Sequence, residues 1–120
     1  MAGQMVHVEL PAGDTARARE FWGGLFGWQF QAFEGSPTEY HMTQFSETQG
    51  GAVMAAEGDK RGTRVYFDVD DINAANAKVG ELGGTSGEPV PVPGIGWFSI
   101  CQDTEANEFG LWQTDPDAGS

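Results

Sequence analysis

An α+β domain built from two copies of a βαβββ unit is what this sequence predicts, and three observations carry that expectation. Strand-like alternation opens the chain at Gln4–Leu10 and returns at Arg64–Val69. Each of those strands runs into a capped, apolar-striped segment that ends at glycine. A single shift of 57 positions, that from Val8 to Val65, also pairs Asp14 with Asp71, Ala18 with Ala75, Gly23 with Gly80, Leu25 with Leu82 and Gly27 with Gly84. Matches that fall in order on strand, cap, helix stripe and helix stop are the signature of a repeated structural unit.

In the first unit, Val6, Val8 and Leu10 alternate with His7 and Glu9, so the strand has an apolar face and a polar one. Pro11-Ala12-Gly13 ends it, and Asp14 is placed to cap a helix whose stripe is Ala18, Phe21, Trp22 and Leu25. Strands are expected over Trp28–Phe33, Thr38–Phe45 and Gly51–Ala55, separated by Gly35-Ser36-Pro37 and by residues 46–50. After a polar link at 57–62, Val65, Phe67 and Val69 alternate against Arg64, Tyr66 and Asp68. Asp71 caps a helix with Ile72, Ala75, Val79 and Leu82, which stops at Gly83-Gly84. A Pro-interrupted edge segment around Val90 and Val92 follows, then a strand Trp97–Gln102, a turn Asp103–Asn107 and a last strand Phe109–Gln113. The expected organisation is one domain, residues 1–120, with modules at about 4–56 and 62–114 and a frayed tail at 115–120. The modules are expected to form a curved, partly closed mixed sheet with the helices outside.

At 120 residues, 39% of them apolar, the chain has enough material for a packed core. Cys101 stands alone, so it can form neither an internal disulfide nor a cysteine metal cage. A net charge of −12 opposes both nucleic acid and anionic membrane surfaces, and would draw cationic ligands towards an open cleft. No apolar run reaches the roughly 20 residues that span a bilayer, and the first residues lack the pattern of a secretory leader. A cytoplasmic location is therefore expected. Phosphate-loop, nucleophile-elbow and paired-cysteine motifs are all missing from the sequence.

Alternation puts His7 and Glu9 on the face opposite Val8, and the shift sends Arg64 and Tyr66 to the matching place. The same shift ties Tyr40 to Trp97 and Val53 to Gly110, and sets Trp112 on the side of Gly110. A cavity walled by Tyr and Trp with a few polar groups suits an organic small molecule. His41, on the same expected strand as Tyr40, joins the candidate ligand-binding residues.

The first strand Val6-His7-Val8-Glu9-Leu10-Pro11, Asp14 followed by Phe21-Trp22, and the closing segment Asp103-Thr104-Glu105-Ala106-Asn107-Glu108-Phe109-Gly110-Leu111-Trp112 together resemble the vicinal oxygen chelate superfamily, which includes glyoxalases, bleomycin-resistance proteins and extradiol dioxygenases. The resemblance covers about residues 4–114. It implies metal ligands on the first and last strands of each module. Those positions fall on His7, Arg64, Val53 and Gly110, of which only His7 can ligate. The expectation is therefore no metal and no cofactor. The resemblance implies a glyoxalase-like or bleomycin-resistance-like protein that binds a small organic molecule; the chain's acidity and aromatic residues suggest a cationic or aromatic one, with Tyr40, His41, Arg64, Tyr66, Trp97 and Trp112 as the expected ligand-binding residues. The alternative is a metal-independent lyase, isomerase or hydroxylase-like enzyme acting on a secondary metabolite, with His7 as base, Glu9 as its orienter, Tyr66 as acid and Arg64 as anion clamp. A homodimer is expected by the resemblance alone.

Overall fold

The computed structural model describes residues 2–58 and 62–120. The elements run β1 (Met5–Ala12), α1 (Thr15–Phe26), β2 (Gln31–Ala32), β3 (Tyr40–Gln44), β4 (Gly50–Ala55), β5 (Arg64–Asp68), α2 (Ile72–Glu81), β6 (Thr85–Ser86), β7 (Val90–Val92), β8 (Gly96–Gln102) and β9 (Glu108–Thr114). The class is α+β, and the predicted strand–helix–strands order occurs twice. The departures are local. β1 continues through Pro11 and Ala12, which were expected to end it, the strand expected at Trp28–Phe33 shrinks to two residues, and β6 forms at Thr85-Ser86, ahead of the proline-rich edge segment and too short to show alternation. Asp59, Lys60 and Arg61, in the expected polar link, lie outside the described residues.

The chain divides into two compact units, Val6–Arg64 and Met1–Met5 with Val65–Ser120. The first residues thus belong with the later part of the chain: the Gly3 amide donates to the Asp68 carbonyl, and the Asp68 amide donates to that of Gln4.

In the unit Val6–Arg64 the strands lie in the order β2-β3-β4-β1. β1 runs parallel to β4, with His7 opposite Gly50 and Leu10 opposite Val53. β3 is antiparallel to β4. The Asp14 carboxylate caps α1 by accepting from the Arg17 amide, and Gly27 ends the helix in the left-handed region at φ 73°, its N–H bonded to the Gly23 carbonyl. Val53 and Ala52 are the most buried apolar residues of this unit, at 0% and 1% exposure. The helix stripe needs correcting. The buried line runs through Thr15, Ala18, Arg19, Trp22 and Gly23, a spacing of three and four, while Phe21 and Leu25 stay 61% and 56% exposed. Ala18 and Trp22 lie on the expected stripe, while Phe21 and Leu25 fall outside it on the exposed side.

The other unit places β5-β9-β8-β6 side by side, with β7 also on β8. β5 is parallel to β9 and β8 antiparallel to it. Asp71 caps α2 by accepting from the Asn73 and Ala74 amides. Ile72, Cys101 and Leu111 form the buried core here, with Phe67, Val69, Ala75, Val79, Trp97 and Phe109 packed on it. The Cys101 thiol is buried beside the Ser99 hydroxyl, which donates to the Asn76 side-chain oxygen at 2.8 Å.

The tail at 115–120, expected to fray, is instead docked. The Asp115 amide donates to the Ile95 carbonyl, the Gly94 amide donates to that of Ala118, and Ala118 is 2% exposed. Turn residues read as linker residues here form a hydrogen-bonded turn, because Asp115 accepts from both the Asp117 amide and the Trp97 indole.

Candidate functional site

β1 sets His7 and Glu9 on one face, opposite Val8 and Leu10, as alternation predicted. Tyr40 comes from β3, which does not neighbour β1, because β4 lies between them. Its hydroxyl can cross that strand because the β4 residues opposite His7 and Glu9 are Gly50 and Ala52, with little or no side chain to stand in the way. The result is a connected polar chain. The Tyr40 hydroxyl lies 2.7 Å from His7 Nε2 and donates to Glu9 Oε2 at 2.8 Å, and Arg64 Nη1 donates to Glu9 Oε1 at 3.0 Å. The His7 and Tyr40 rings are nearly parallel, 10° apart, with centroids 6.1 Å apart.

These partners fix the protonation pattern. A hydroxyl has one proton, and Tyr40 spends it on the carboxylate, so Tyr40 must accept from His7. The imidazole then carries its proton on Nε2, and Nδ1 is the basic nitrogen. Burial pulls the His7 pKa below its ordinary value, and the neighbouring Glu9 charge opposes that only in part, so the neutral ring is favoured. Glu9 is 6% exposed, and its buried charge is met by the Arg64 guanidinium. These four groups are therefore polar, with Glu9 buried and the others half-buried, and the Glu9 and Arg64 charges offset each other. The attraction for cations expected from the chain's total charge does not come from these four groups.

Two predicted residues stand elsewhere. His41 follows Tyr40 on β3, so it points to the opposite face, the face of Val53. There its Nε2 lies 3.2 Å from Glu39 Oε1, which also accepts from the Thr15 hydroxyl; the His41 bond first, then the Thr15 bond, holds the Glu39 pKa low. Trp97 packs on the Ile72–Cys101–Leu111 core and donates its indole N–H to Asp115. Tyr66 and Trp112 do share the face expected for them within their unit. Tyr66 lies opposite Gly110, and Trp112 lies opposite Phe98, whose ring meets that of Tyr66 edge-on at 6.4 Å. Phe98, not Trp97, is thus the aromatic residue that β8 places on that face.

The cause is a slip of one residue in the repeat. Val8 matches Val65 at a shift of 57, but the pairings of Tyr40 with Met54 and of Phe98 with Trp112 align at 58. The extra residue lies in the segment between Gly84 and Phe98. Ala52 is accordingly the counterpart of Gly110, and Val53 that of Leu111. A surface cleft of about 340 Å³ in the first unit is lined by Gln29, Phe30, Gln31, Met42, Thr43 and Gln44, none of them among the predicted ligand-binding residues.

Each unit pairs its first strand in parallel with its last and adds antiparallel strands, and the solved structures that superpose on this chain share that fold. The hypothetical protein BH1468 from Bacillus halodurans has a TM-score of 0.77 at 12% identity, with 98% of this chain and 99% of that one covered. The methylmalonyl-CoA epimerase of Mycobacterium tuberculosis has a TM-score of 0.72 at 15% identity, covering 95% and 89%. At such identities the likeness is one of fold. The chain belongs to the Glyoxalase-like domain family, which it matches over residues 5–112. A glyoxylase-like domain-containing protein of Didymella fabae is 34% identical over 120 residues, covering 91% of this chain and 92% of the relative. The protein named as a glyoxylase, CFP32, of Mycobacterium bovis is 25% identical over 118 residues, and the match spans 45% of its length.

The metal centre of the superfamily does not fit these residues. His7 can ligate, but its Nε2 proton is committed to Tyr40, and Arg64 offers only donors. Val53, on which a terminal-strand ligand was expected to fall, points to the other face, and its replacement at that position, Ala52, has no donor atom. Gly110 has no side chain. Among the described residues, no three His, Cys, Asp or Glu side chains converge as a metal-binding group.

Proposed function

We propose that this glyoxalase-like protein works without a metal and binds a small organic molecule at the face of His7, Glu9, Tyr40 and Arg64. The observation that carries this reading is the Arg64–Glu9 ion pair. A guanidinium occupies the place where the resemblance expects a ligand, and it neutralises the carboxylate that could otherwise hold a cation. The face then offers a tyrosine ring, an imidazole and hydrogen-bonding groups of balanced charge, which suits a polar aromatic compound. Among the described residues no helix is long and apolar enough to cross a membrane. A cytoplasmic homodimer completes the proposal.

The test is elemental analysis of the purified protein together with a thermal-shift screen of divalent ions and aromatic metabolites. Metal-free protein stabilised by an aromatic compound, with the shift lost in Arg64→Ala, is the expected result. Stoichiometric metal bound through His7 sinks it.

A second reading has support in the direction of the hydrogen bonds. Glu9 orients Tyr40, and Tyr40 orients a neutral His7, the order of parts that general-base catalysis needs. A lyase or isomerase acting on a secondary metabolite is the class that this chemistry serves. Turnover of a compound found in the screen, abolished by His7→Gln while its affinity is kept, separates catalysis from binding alone.

A further inference from the structure

We propose that the cleft between Gln29–Gln31 and Met42–Gln44 is a second binding site, one that takes a neutral peptide-like amide in the place of a missing rung of the β2–β3 ladder. The inference goes beyond the reading above and uses none of its four residues. β2 and β3 pair at Gln31 with Met42 and at Ala32 with His41, and the Phe33 amide donates to the Tyr40 carbonyl. In that register the next hydrogen-bonded pair would be Gln29 with Gln44. It does not form, and the cleft of about 340 Å³ lined by Gln29, Phe30, Gln31, Met42, Thr43 and Gln44 opens in its place.

The register also says which groups face the gap. The Phe45 amide donates to the Gln49 carbonyl and the Ala55 amide to that of Glu39, so the odd-numbered residues of β3 bond towards β4. The main-chain groups of Tyr40, Met42 and Gln44 therefore face β2. Those of Gln44 lie beyond the end of β2, and no main-chain partner meets them among the described residues. Its side-chain Nε2 is already engaged, donating to the Ser46 carbonyl at 2.7 Å.

α1 holds the gap open. Trp28-Gln29-Phe30-Gln31-Ala32-Phe33 alternates like a strand and contains no Pro or Gly, so nothing local stops the pairing at Gln31. The Trp28 ring, however, stacks on that of Trp22 on the helix, 12° from parallel at 5.3 Å, and the Trp28 carbonyl lies where a Cβ on Gly23 would be only 3.2 Å away. The Trp28 ring also meets that of Phe45 at 4.5 Å. Both ends of the cleft are thus fixed, one by the Gln31–Met42 pair and the other by these rings.

The chemistry of the occupant follows from the missing rung. Opposite Gln44 it must supply one C=O to accept and one N–H to donate on either side of a single carbon, which is the pattern of an acylated amino acid amide. None of the six lining side chains is charged, so a neutral compound suits the cleft better than an ionic one. The side chain of a residue opposite Gln44 would share its face with Gln31 and Met42, where the thioether favours an apolar group. At about 340 Å³ the cleft is at the small end of organic-ligand sites, which fits one such unit.

The experiment is NMR amide shift mapping and hydrogen exchange on the full chain, with N-acetyl-leucine methylamide as the probe. Without the probe, the Gln44 amide should exchange faster than those of Met42 and Thr43. At millimolar concentration the probe should shift and protect the Gln44 amide. Its analogue methylated on the leucine nitrogen lacks the donor and should bind at least about 10-fold more weakly. Gln44→Pro removes an N–H that faces away from β4, so the strand should persist while probe binding falls to the same degree. Gln44→Ala should keep it. A Gln44 amide that is protected without the probe, whether by Gln29 or by a second copy at higher protein concentration, overturns the proposal. So does a probe that leaves Gln44 unshifted, or one that binds equally well when methylated. Loss of the probe in Arg64→Ala would move it to the His7 face, overturning this inference and sparing the earlier one.

Discussion

Matching faces of the two units hold opposite chemistry on the same backbone plan. Where β1 carries His7 and Glu9, the unit Val6–Arg64 buries a carboxylate and a guanidinium around a tyrosine hydroxyl. Where β5 carries Tyr66, the other unit has an aromatic group of Tyr66, Phe98 and Trp112 beside a glycine. The pairing of a parallel strand with an antiparallel neighbour is common to both. It follows that main-chain pairing and a capped helix are enough to specify the unit, and that the face left over is free to be ionic or apolar. The cost of error differs accordingly: one face fails by losing a charge partner, the other by gaining volume.

The largest effect is expected at Glu9. Glu9→Ala removes the carboxylate to which the half-buried Arg64 guanidinium and the Tyr40 hydroxyl donate, and should cost about 3 kcal/mol in urea denaturation. Replacing both ends, as Glu9→Leu with Arg64→Met, should recover most of that loss if the pair serves ligand recognition and not stability. Recovery of stability together with loss of ligand binding would make the contrast between the faces a functional one.

Next comes Gly110. A Cβ there would lie within the Tyr66 ring, and Tyr66 is buried, so Gly110→Val should cost about 2–3 kcal/mol by overpacking. The counterpart Ala52 already has a Cβ, so Ala52→Gly should cost only about 1 kcal/mol. Equal losses at the two positions would break the assignment of Ala52 as the counterpart.

The smallest effect is the pH dependence of His7. Its folded pKa lies below the ordinary 6.5, so the unfolded chain takes up a proton first as pH falls. The contribution of the neutral ring is complete above that value and declines as pH drops below it. His7→Gln should flatten this part of the stability–pH curve. A curve unchanged by the substitution would show that burial of His7 does not govern the titration.

The fold was legible because its signals are local. Asp14 and Asp71 cap the helices they were expected to cap, Gly27 stops the first, and alternation put His7 and Glu9 on one face. Less of the site was legible. The reach of Tyr40 to His7 depends on Gly50 and Ala52 in a strand that is distant in sequence, which no periodicity within β1 reports. Trp97 was misplaced because the segment after Gly84 holds one more residue than its match, and one residue of slip turns a strand over. His41 could have been excluded without a structure, since neighbours on a strand never share a face and Tyr40 already claimed this one. The docked tail depends on a tryptophan indole far back in the chain finding Asp115, a contact that composition cannot register.

Cys101 has a practical consequence. The chain's single thiol is 1% exposed in the core of the unit Val65–Ser120, beneath α2. An alkylating reagent can reach it only when that core opens, so its labelling rate is a built-in clock for opening of that unit alone. Timing the reaction against the pH and the ligands used for the other unit would show whether the ionic face and the apolar one come apart together or in turn.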